Sequence, residues 1–291
     1  MSSPVFDVIV CGSLHLDIMV HAPSLPRLDE TTVGSRWSMQ CGGKGGNQAV
    51  RTARAGARVA MIGRVGADDF GDRLRANLTA RDVDARAVSV DPSAGSGMSA
   101  AIVQADGEYG AVIVSDANLR IDPADVEDQW RLLGGARALV LQNEIPEAAN
   151  IAAARAARAS GAKVILNAAP ARPMSSQLLD LVDILVVNRV EAEMLGGVAV
   201  GDARAALAAL PKLGACGRGV IVTLGGAGLV AQIWGAEPTV IAPIAVRVVS
   251  THGAGDCFVG ALAYGLASGA SLMEAASAAN EAAAAYVSGN G

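Results

Sequence analysis

Aromatic residues are scarce: three Trp, three Tyr and three Phe make up 3% of a 291-residue chain. Because 52% of the residues are nonetheless hydrophobic, the core has to be packed from small aliphatic side chains, chiefly alanine and valine. Cysteine is sparse as well. Cys11, Cys41, Cys216 and Cys257 stand far apart with no Cys-x-x-Cys pair, which argues against a disulfide framework or a cysteine zinc site and suits a reducing cytoplasm. A surplus of positive charge is missing, since 23 Lys and Arg face 28 Asp and Glu for a net charge of -5. Such a chain has no basic field with which to grip a phosphate backbone, so nucleic acid is not an expected partner and small molecules are. Residues 1–7 carry neither a basic cluster nor a long apolar stretch, unlike a secretory signal. The longest uncharged runs, 219–236 and 257–273, fall short of the roughly 20 residues of a membrane span. Glycines interrupt both and basic anchors do not flank them, so they read as buried core and no membrane contact is expected.

What the sequence does contain is an alternation. Short β-branched runs at 59–65, 138–142, 163–167, 184–187 and 219–223 are separated by Ala/Arg/Leu stretches with helical spacing. Strands this apolar belong in a sheet covered on both faces, which predicts an α/β fold: a doubly wound, mostly parallel sheet sandwiched by helices. Two segments, 14–38 and 99–114, break the rhythm with strand-like stretches and turn signals (Pro23, Pro26, Asp106-Gly107) but no helix. They are expected to pair as a small antiparallel β lid over the carboxyl ends of the main strands; two separate surface hairpins are the competing reading. No repeat or linker divides the chain, so 1–291 reads as one domain with the lid inserted.

Two glycine-rich elements stand out. Gly42-Gly43-Lys44-Gly45-Gly46-Asn47 precedes a helix expected from Asn47, and its glycines allow close backbone approach while Lys44 and Asn47 offer polar donors. It is neither a Walker A loop, for which Gly-Lys-Ser/Thr is lacking, nor a G-x-G-x-x-G fingerprint. Gly253-Ala254-Gly255-Asp256 opens the apolar helical run 257–266, where free backbone N–H groups and the helix dipole make an anion hole. An anion cradle beside a carboxylate suits phosphoryl transfer to a hydroxyl: the base takes the proton and the N–H groups hold the charge. Taken alone, each element also reads as an ordinary turn or capped helix.

Both elements, in this order and about 200 residues apart, resemble the ribokinase-type sugar and nucleoside kinases. The resemblance runs along essentially the whole chain, through Gly12-Ser13 with Asp17, Gly56, Gly66, Gln142-Asn143-Glu144, Asn167-Ala168-Ala169-Pro170, Asn188-Arg189-Val190-Glu191 and Thr223-Leu224-Gly225-Gly226. It implies an ATP-dependent kinase acting on the primary hydroxyl of a ribose-like sugar. Asp256 would be the base and Gly253, Ala254 and Gly255 the anion hole. Asp17, Gly43, Lys44, Asn47 and Glu144, with His15 beside them, would hold the sugar. Asn188, Thr223, Gly225 and Gly255 would border the nucleotide, and Asn188 and Glu191 would hold Mg2+ through water. The resemblance also implies a homodimer through the lid, which agrees with the need to cover an exposed sheet edge. A nucleoside kinase, or a sugar-binding protein with weakened catalysis, are the alternatives. Singly, Asn188 with Glu191 also reads as a helix cap with its capping-box partner, and Asn47 as an N-cap.

The chain departs from the family pattern at several places. His15 stands where ribose-specific members usually carry asparagine, which leaves the choice of sugar open. Ser250 stands where the family usually has an aspartate of a monovalent-cation site, so K+ activation is expected to be weakened or lost. Asp116 replaces a frequent glycine after the lid, and Ala168 a common proline. Relatives run on beyond 288–291, from which weaker ATP binding is expected.

Overall fold

The computed structural model describes residues 5–104, 106, 108–213 and 218–289. Cys216, Gly107 of the expected lid turn, residues 1–4 and the last two residues lie outside them. In chain order the elements begin with β1 (Phe6–Cys11), β2 (His15–His21), β3 (Arg36–Gly42), α1 (Lys44–Arg54), β4 (Val59–Gly66) and α2 (Asp69–Thr79). There follow β5 (Val83–Asp84), β6 (Val88–Asp91), β7 (Gly97–Val103), β8 (Tyr109–Val114), α3 (Pro123–Leu133), β9 (Ala136–Gln142), α4 (Glu147–Ala159) and β10 (Lys163–Asn167). The remainder is α5 (Ser176–Leu179), β11 (Ile184–Asn188), α6 (Arg189–Gly196), α7 (Ala203–Leu213), β12 (Gly219–Thr223), β13 (Leu229–Ile233), β14 (Thr239–Ile241), α8 (Ala254–Ala267) and α9 (Leu272–Val287).

The main sheet has the order β14-β13-β12-β11-β10-β9-β1-β4-β5, with β6 also paired to β4, and is parallel except at the β12–β13–β14 edge. The two-residue period of its strands explains the layering. Val8 and Val10 point into a layer made with α1, α2, α8 and α9, while Ile9 and Cys11 point into the opposite layer with α3, α4, α6 and α7. All four side chains are completely buried, as a sheet covered on both faces requires. Small residues set the packing: α4 alone buries Ala149, Ala152, Ala153, Ala154 and Ala157 against β9 and β10. Among the described residues no helix is long and apolar enough to cross a membrane, and the 219–236 and 257–273 runs supply β12, β13 and α8.

The second sheet has the order β3-β2-β7-β8. Its outer pairs are antiparallel as expected, but the central β2–β7 pair runs parallel. The reason lies in the connections: β2 follows β1 and β7 follows β6, so both strands leave the parallel body in the same sense. The lid strands also reach beyond the expected 14–38 and 99–114, since β3 continues to Gly42 and β7 begins at Gly97.

Candidate active site

The order in which strands are added reverses between β1 and β9, with β4 on one side and β10 to β12 on the other, and the crevice at the carboxyl ends of such strands is where α/β sheets bind ligands. Ser13 follows β1 and Glu144 follows β9, and both act on the start of α1. That helix begins at Lys44, three residues before the expected start, so Lys44 and Asn47 lie within its first turn and Asn47 is not an N-cap. Its N-cap is Gly43 at φ 81, a backbone conformation that costs a residue with a Cβ, and it supplies no side-chain bond. The unpaired first N–H groups are satisfied from elsewhere. Lys44 N–H donates to Glu144 Oε2 at 2.9 Å, Gly45 N–H to Ser13 Oγ at 3.4 Å and Gly46 N–H to Ser13 C=O at 2.9 Å. Ser13 Oγ in turn donates to Glu144 Oε2.

Helices α1 and α8 run side by side in the same sense. A Cβ on Gly260 would lie 2.8 Å from Thr52 N, so only glycine permits this crossing. One turn earlier on each helix, Asp256 meets α1: Gln48 Nε2 donates to Asp256 Oδ1 at 3.0 Å and Asn47 Nδ2 to Oδ2 at 3.3 Å. Gln48 is itself held by Asn167 Oδ1 at 2.9 Å and by Gln142 Nε2, which donates to its Oε1 at 2.8 Å. Burial pushes the Asp256 carboxyl above its ordinary value of 3.8, while the Lys44 charge and the Gln48 and Asn47 amides pull the other way. The result is an oriented carboxylate with enhanced basicity.

At the start of α8, Gly253 has φ 79 and the Ala254 N–H is taken up by Thr251 C=O at 3.2 Å. Among the described residues the N–H groups of Gly253, Gly255 and Asp256 have no acceptor, so the expected Gly253–Ala254–Gly255 cradle loses Ala254 and extends to Asp256.

Asp17 and Ser99 are register partners on β2 and β7, and Ser99 Oγ donates to Asp17 Oδ1. The same lid face carries His15, Gly97, Gly42 and, on β8, Ile113. His15 is buried at 5% exposure, and burial lowers its basicity although the Glu144 and Asp17 charges favour protonation. Trp37 belongs to the opposite face with Ile18, Val20 and Met39, and these line a cavity of about 450 Å³ away from Asp17.

Asn188 and Glu191 form the capping box of α6: Asn188 Oδ1 accepts from Glu191 N–H at 2.9 Å and Glu191 Oε2 from Asn188 N–H at 2.8 Å. Burial raises the Glu191 carboxyl against the pull of the Asn188 N–H and the Lys44 charge. Only one of its oxygens is used by the cap, and among the described residues no group of three or more His, Cys, Asp or Glu is placed to hold a metal ion. Such a donor set fits a magnesium ion held by phosphate oxygens and water, with one carboxylate at the periphery, and does not fit an all-protein cage. Thr223 faces Asn188 across β11–β12 and donates to Val187 C=O at 3.4 Å, and Gly225 follows in an open 3-10 turn. Ser250 is exposed, its Oγ accepting from His252 N–H at 3.3 Å. Among the described residues the thiols are held in their less reactive form: burial raises Cys41 and Cys257 and pushes Cys11 up to about 12.

Sequence reasoning gave no role to Ser13, Gln48 or Ser99, nor to Asn118, whose Oδ1 accepts from Leu14 N–H at 2.9 Å beside His15. Gln48 carried a faint signal, a polar residue facing the core side of a helix; the others are polar residues of ordinary type whose meaning comes from partners about 80 to 130 residues away.

Comparison with known proteins agrees with this geometry. The family described as pfkB family carbohydrate kinase matches residues 6–291. Ribokinase of Mus musculus is 38% identical over 264 residues, 89% of this chain and 81% of the relative. Deoxyribokinase of Salmonella typhi is 31% identical over 264 residues, 89% and 85% of the two chains. Arabidopsis thaliana ribokinase, complexed with ribose and ATP, superposes with a TM-score of 0.88 at 30% identity, covering 99% of this chain and 93% of that one.

Proposed function

The chain belongs to the pfkB family of carbohydrate kinases and is a phosphotransferase with a sugar hydroxyl as acceptor; we propose that it moves the γ-phosphoryl group of ATP onto the primary hydroxyl of a ribose-like sugar. The observation that carries this reading is Asp256, fixed by Asn47 and Gln48 at the amino terminus of α8. In this reading the carboxylate removes the hydroxyl proton as the oxygen attacks phosphorus, and its raised basicity assists. The N–H groups of Gly255 and Asp256, the dipole of α8 and the Lys44 ammonium stabilise charge on the transferring group. Asp17, Lys44, Asn47 and Glu144 hold the sugar, with Gly43 lining the approach. Asp17, Ser99 and Ile113 close over it on the inner face of the lid and exclude water. Asn188, Thr223 and Gly225 border the nucleotide. Magnesium supplies charge neutralisation for the phosphates when bound, and Glu191 with Asn188 would hold its water shell. Ser250 leaves any monovalent-cation site without its carboxylate, so K+ changes the rate little.

The outer lid face supports a homodimer. Leu16, Ile18, Val20, Met39, Trp37, Ala100, Ile102 and Val112 share it by register, and Trp37 and Val112 are 66% and 68% exposed. A second copy of the same face would cover it and protect the lid edges. The scattered free cysteines suit a cytoplasmic enzyme.

A deoxysugar acceptor is the second reading, favoured by the likeness to a deoxyribokinase. A nucleoside acceptor is less favoured, because Trp37 faces away from Asp17 and Tyr109 stands at the far end of β8. ADP release from ATP and magnesium, measured with ribose, deoxyribose, other pentoses, hexoses and nucleosides with and without K+, tests the proposal. Turnover restricted to ribose-like sugars is the expected result; a nucleoside as best acceptor would overturn it.

A further inference from the structure

We infer that Asn118 is a positioning residue that holds His15 as a neutral ring protonated on Nδ1, so that His15 presents a single hydrogen-bond donor to a sugar hydroxyl beside Asp17 and Glu144. The inference rests on the sugar-kinase reading for its substrate and on the lid geometry for its chemistry.

Asn118 is completely buried in the short 3-10 turn that follows β8. Its Oδ1 accepts from Leu14 N–H at 2.9 Å and its Nδ2 donates to Leu14 C=O at 2.8 Å. This two-point match to one backbone unit leaves no freedom over which end of the amide is nitrogen. The atom 3.4 Å from His15 Nε2 is therefore the amide nitrogen, which only donates. Nε2 has to offer its lone pair, and the proton of a neutral imidazole then belongs on Nδ1. An imidazolium would set two N–H groups against each other.

The surroundings agree. Gly97 is the register partner of His15, and a Cβ there would lie 2.2 Å from Asn118 Nδ2 and 2.8 Å from His15 Cδ2. The Cδ2–Nε2 edge of the ring is thus packed against Gly97 and Asn118, and Nδ1 has no hydrogen-bond partner among the described residues. The charged groups that act on the ring are Glu144, beyond β9, and Asp17, on its own strand. Both favour protonation, yet burial outweighs them, in keeping with a neutral ring.

A donor beside two carboxylates recognises a hydroxyl, because the same oxygen can accept from Nδ1–H and donate to a carboxylate. A sugar with hydrogen in place of that hydroxyl would leave Nδ1–H buried without a partner, at a loss of about 10- to 100-fold in kcat/KM.

Two measurements test this. The long-range proton–nitrogen spectrum of the wild-type enzyme without ligands is expected to show His15 with Nδ1 protonated and Nε2 bare at neutral pH; an Nε2–H ring or an imidazolium there would overturn the assignment, and this reading needs no turnover. Asn118→Asp keeps an acceptor for Leu14 N–H but places a second acceptor opposite Nε2, drawing a proton onto it. The variant is expected to raise the sugar KM about 10-fold or more with kcat little changed. Because the imidazolium carries Nδ1–H again, the KM difference from the wild type should shrink as the pH falls. A sugar KM and pH profile like those of the wild type would sink the positioning role. Failure of the wild type to phosphorylate any sugar would instead count against the acceptor assignment, with the spectrum still deciding the state of His15.

Discussion

The two halves of the crevice are built differently. Around α1 and the start of α8, Gln48, Gln142, Asn118 and Asn167 are buried and joined by hydrogen bonds to Asp256, His15 or one another. Around the ends of β11 and β12, the groups assigned to the nucleotide are more open: Asn188, Gly225 and Gly255 are exposed, as are the neighbouring Gly226, Ser250, Thr251 and His252. A sugar is recognised through several hydroxyls, each needing a fixed partner, so the groups that meet it are locked before it arrives. Phosphates are held by helix N-termini, glycine turns and a cation that arrives with them, which demands fewer committed side chains.

The largest expected effect comes from breaking the locked half at its chemical end. Asp256→Asn should lower kcat by about 10²- to 10⁴-fold, read by steady-state kinetics. The same substitution is expected to raise Tm. The folded-state pKa of Asp256 lies above its ordinary value of 3.8, so the folded protein binds this proton more tightly than the unfolded chain. The charge therefore costs stability in full above the folded pKa, and the cost disappears as pH falls below 3.8. The Tm difference between variant and wild type should accordingly be largest at neutral pH and shrink toward acid, as scanning calorimetry would show.

Glu144→Ala probes whether the same half is locked by its helix cap. It removes the acceptor of Lys44 N–H and Ser13 Oγ, and should cost about 1–2 kcal/mol in urea unfolding while raising the sugar KM. Unchanged stability would mean that α1 is not held by this carboxylate. On the outer lid face, Trp37→Glu places a charge in the exposed apolar patch and is expected to turn the proposed dimer into a monomer in light scattering, with Asp256 untouched; a wild type that is itself monomeric would overturn the dimer proposal. The smallest effect belongs to the open half. Ser250→Asp restores one carboxylate and is expected to introduce a K+ dependence of a few-fold in rate, measured against a large organic cation.

The alternation of apolar runs made the parallel body legible, because strands buried on both faces cannot tolerate polar residues: β10 and β12 occupy the expected 163–167 and 219–223. The lid was legible only as a break in that rhythm, and its central parallel pairing was not, since strand direction depends on where β2 and β7 leave the body. The start of α1 was misplaced for a related reason. Gly45 and Gly46 disfavour helix, and only the distant Ser13 and Glu144 satisfy the first turn that includes them.

Within the crevice, spacing alone brought the Lys44–Asn47 segment and the Gly253–Asp256 segment into view as candidates. The capping box of Asn188 and Glu191 was readable too, as a local pattern three residues long.

What the sequence determined by itself is whatever depends on near neighbours: the strand and helix periods, the cap of α6, the glycines at positive φ and the carboxylate in the first turn of α8. What only the tertiary structure decided is whatever depends on partners far along the chain. The Asp256 carboxyl is oriented by residues 208 and 209 positions away and made more basic by burial in the folded chain, and the single orientation of the Asn118 amide is set by Leu14, 104 positions away. Desolvation and hydrogen-bond direction are properties of a packed environment, and no local pattern of residues specifies them before the chain has folded.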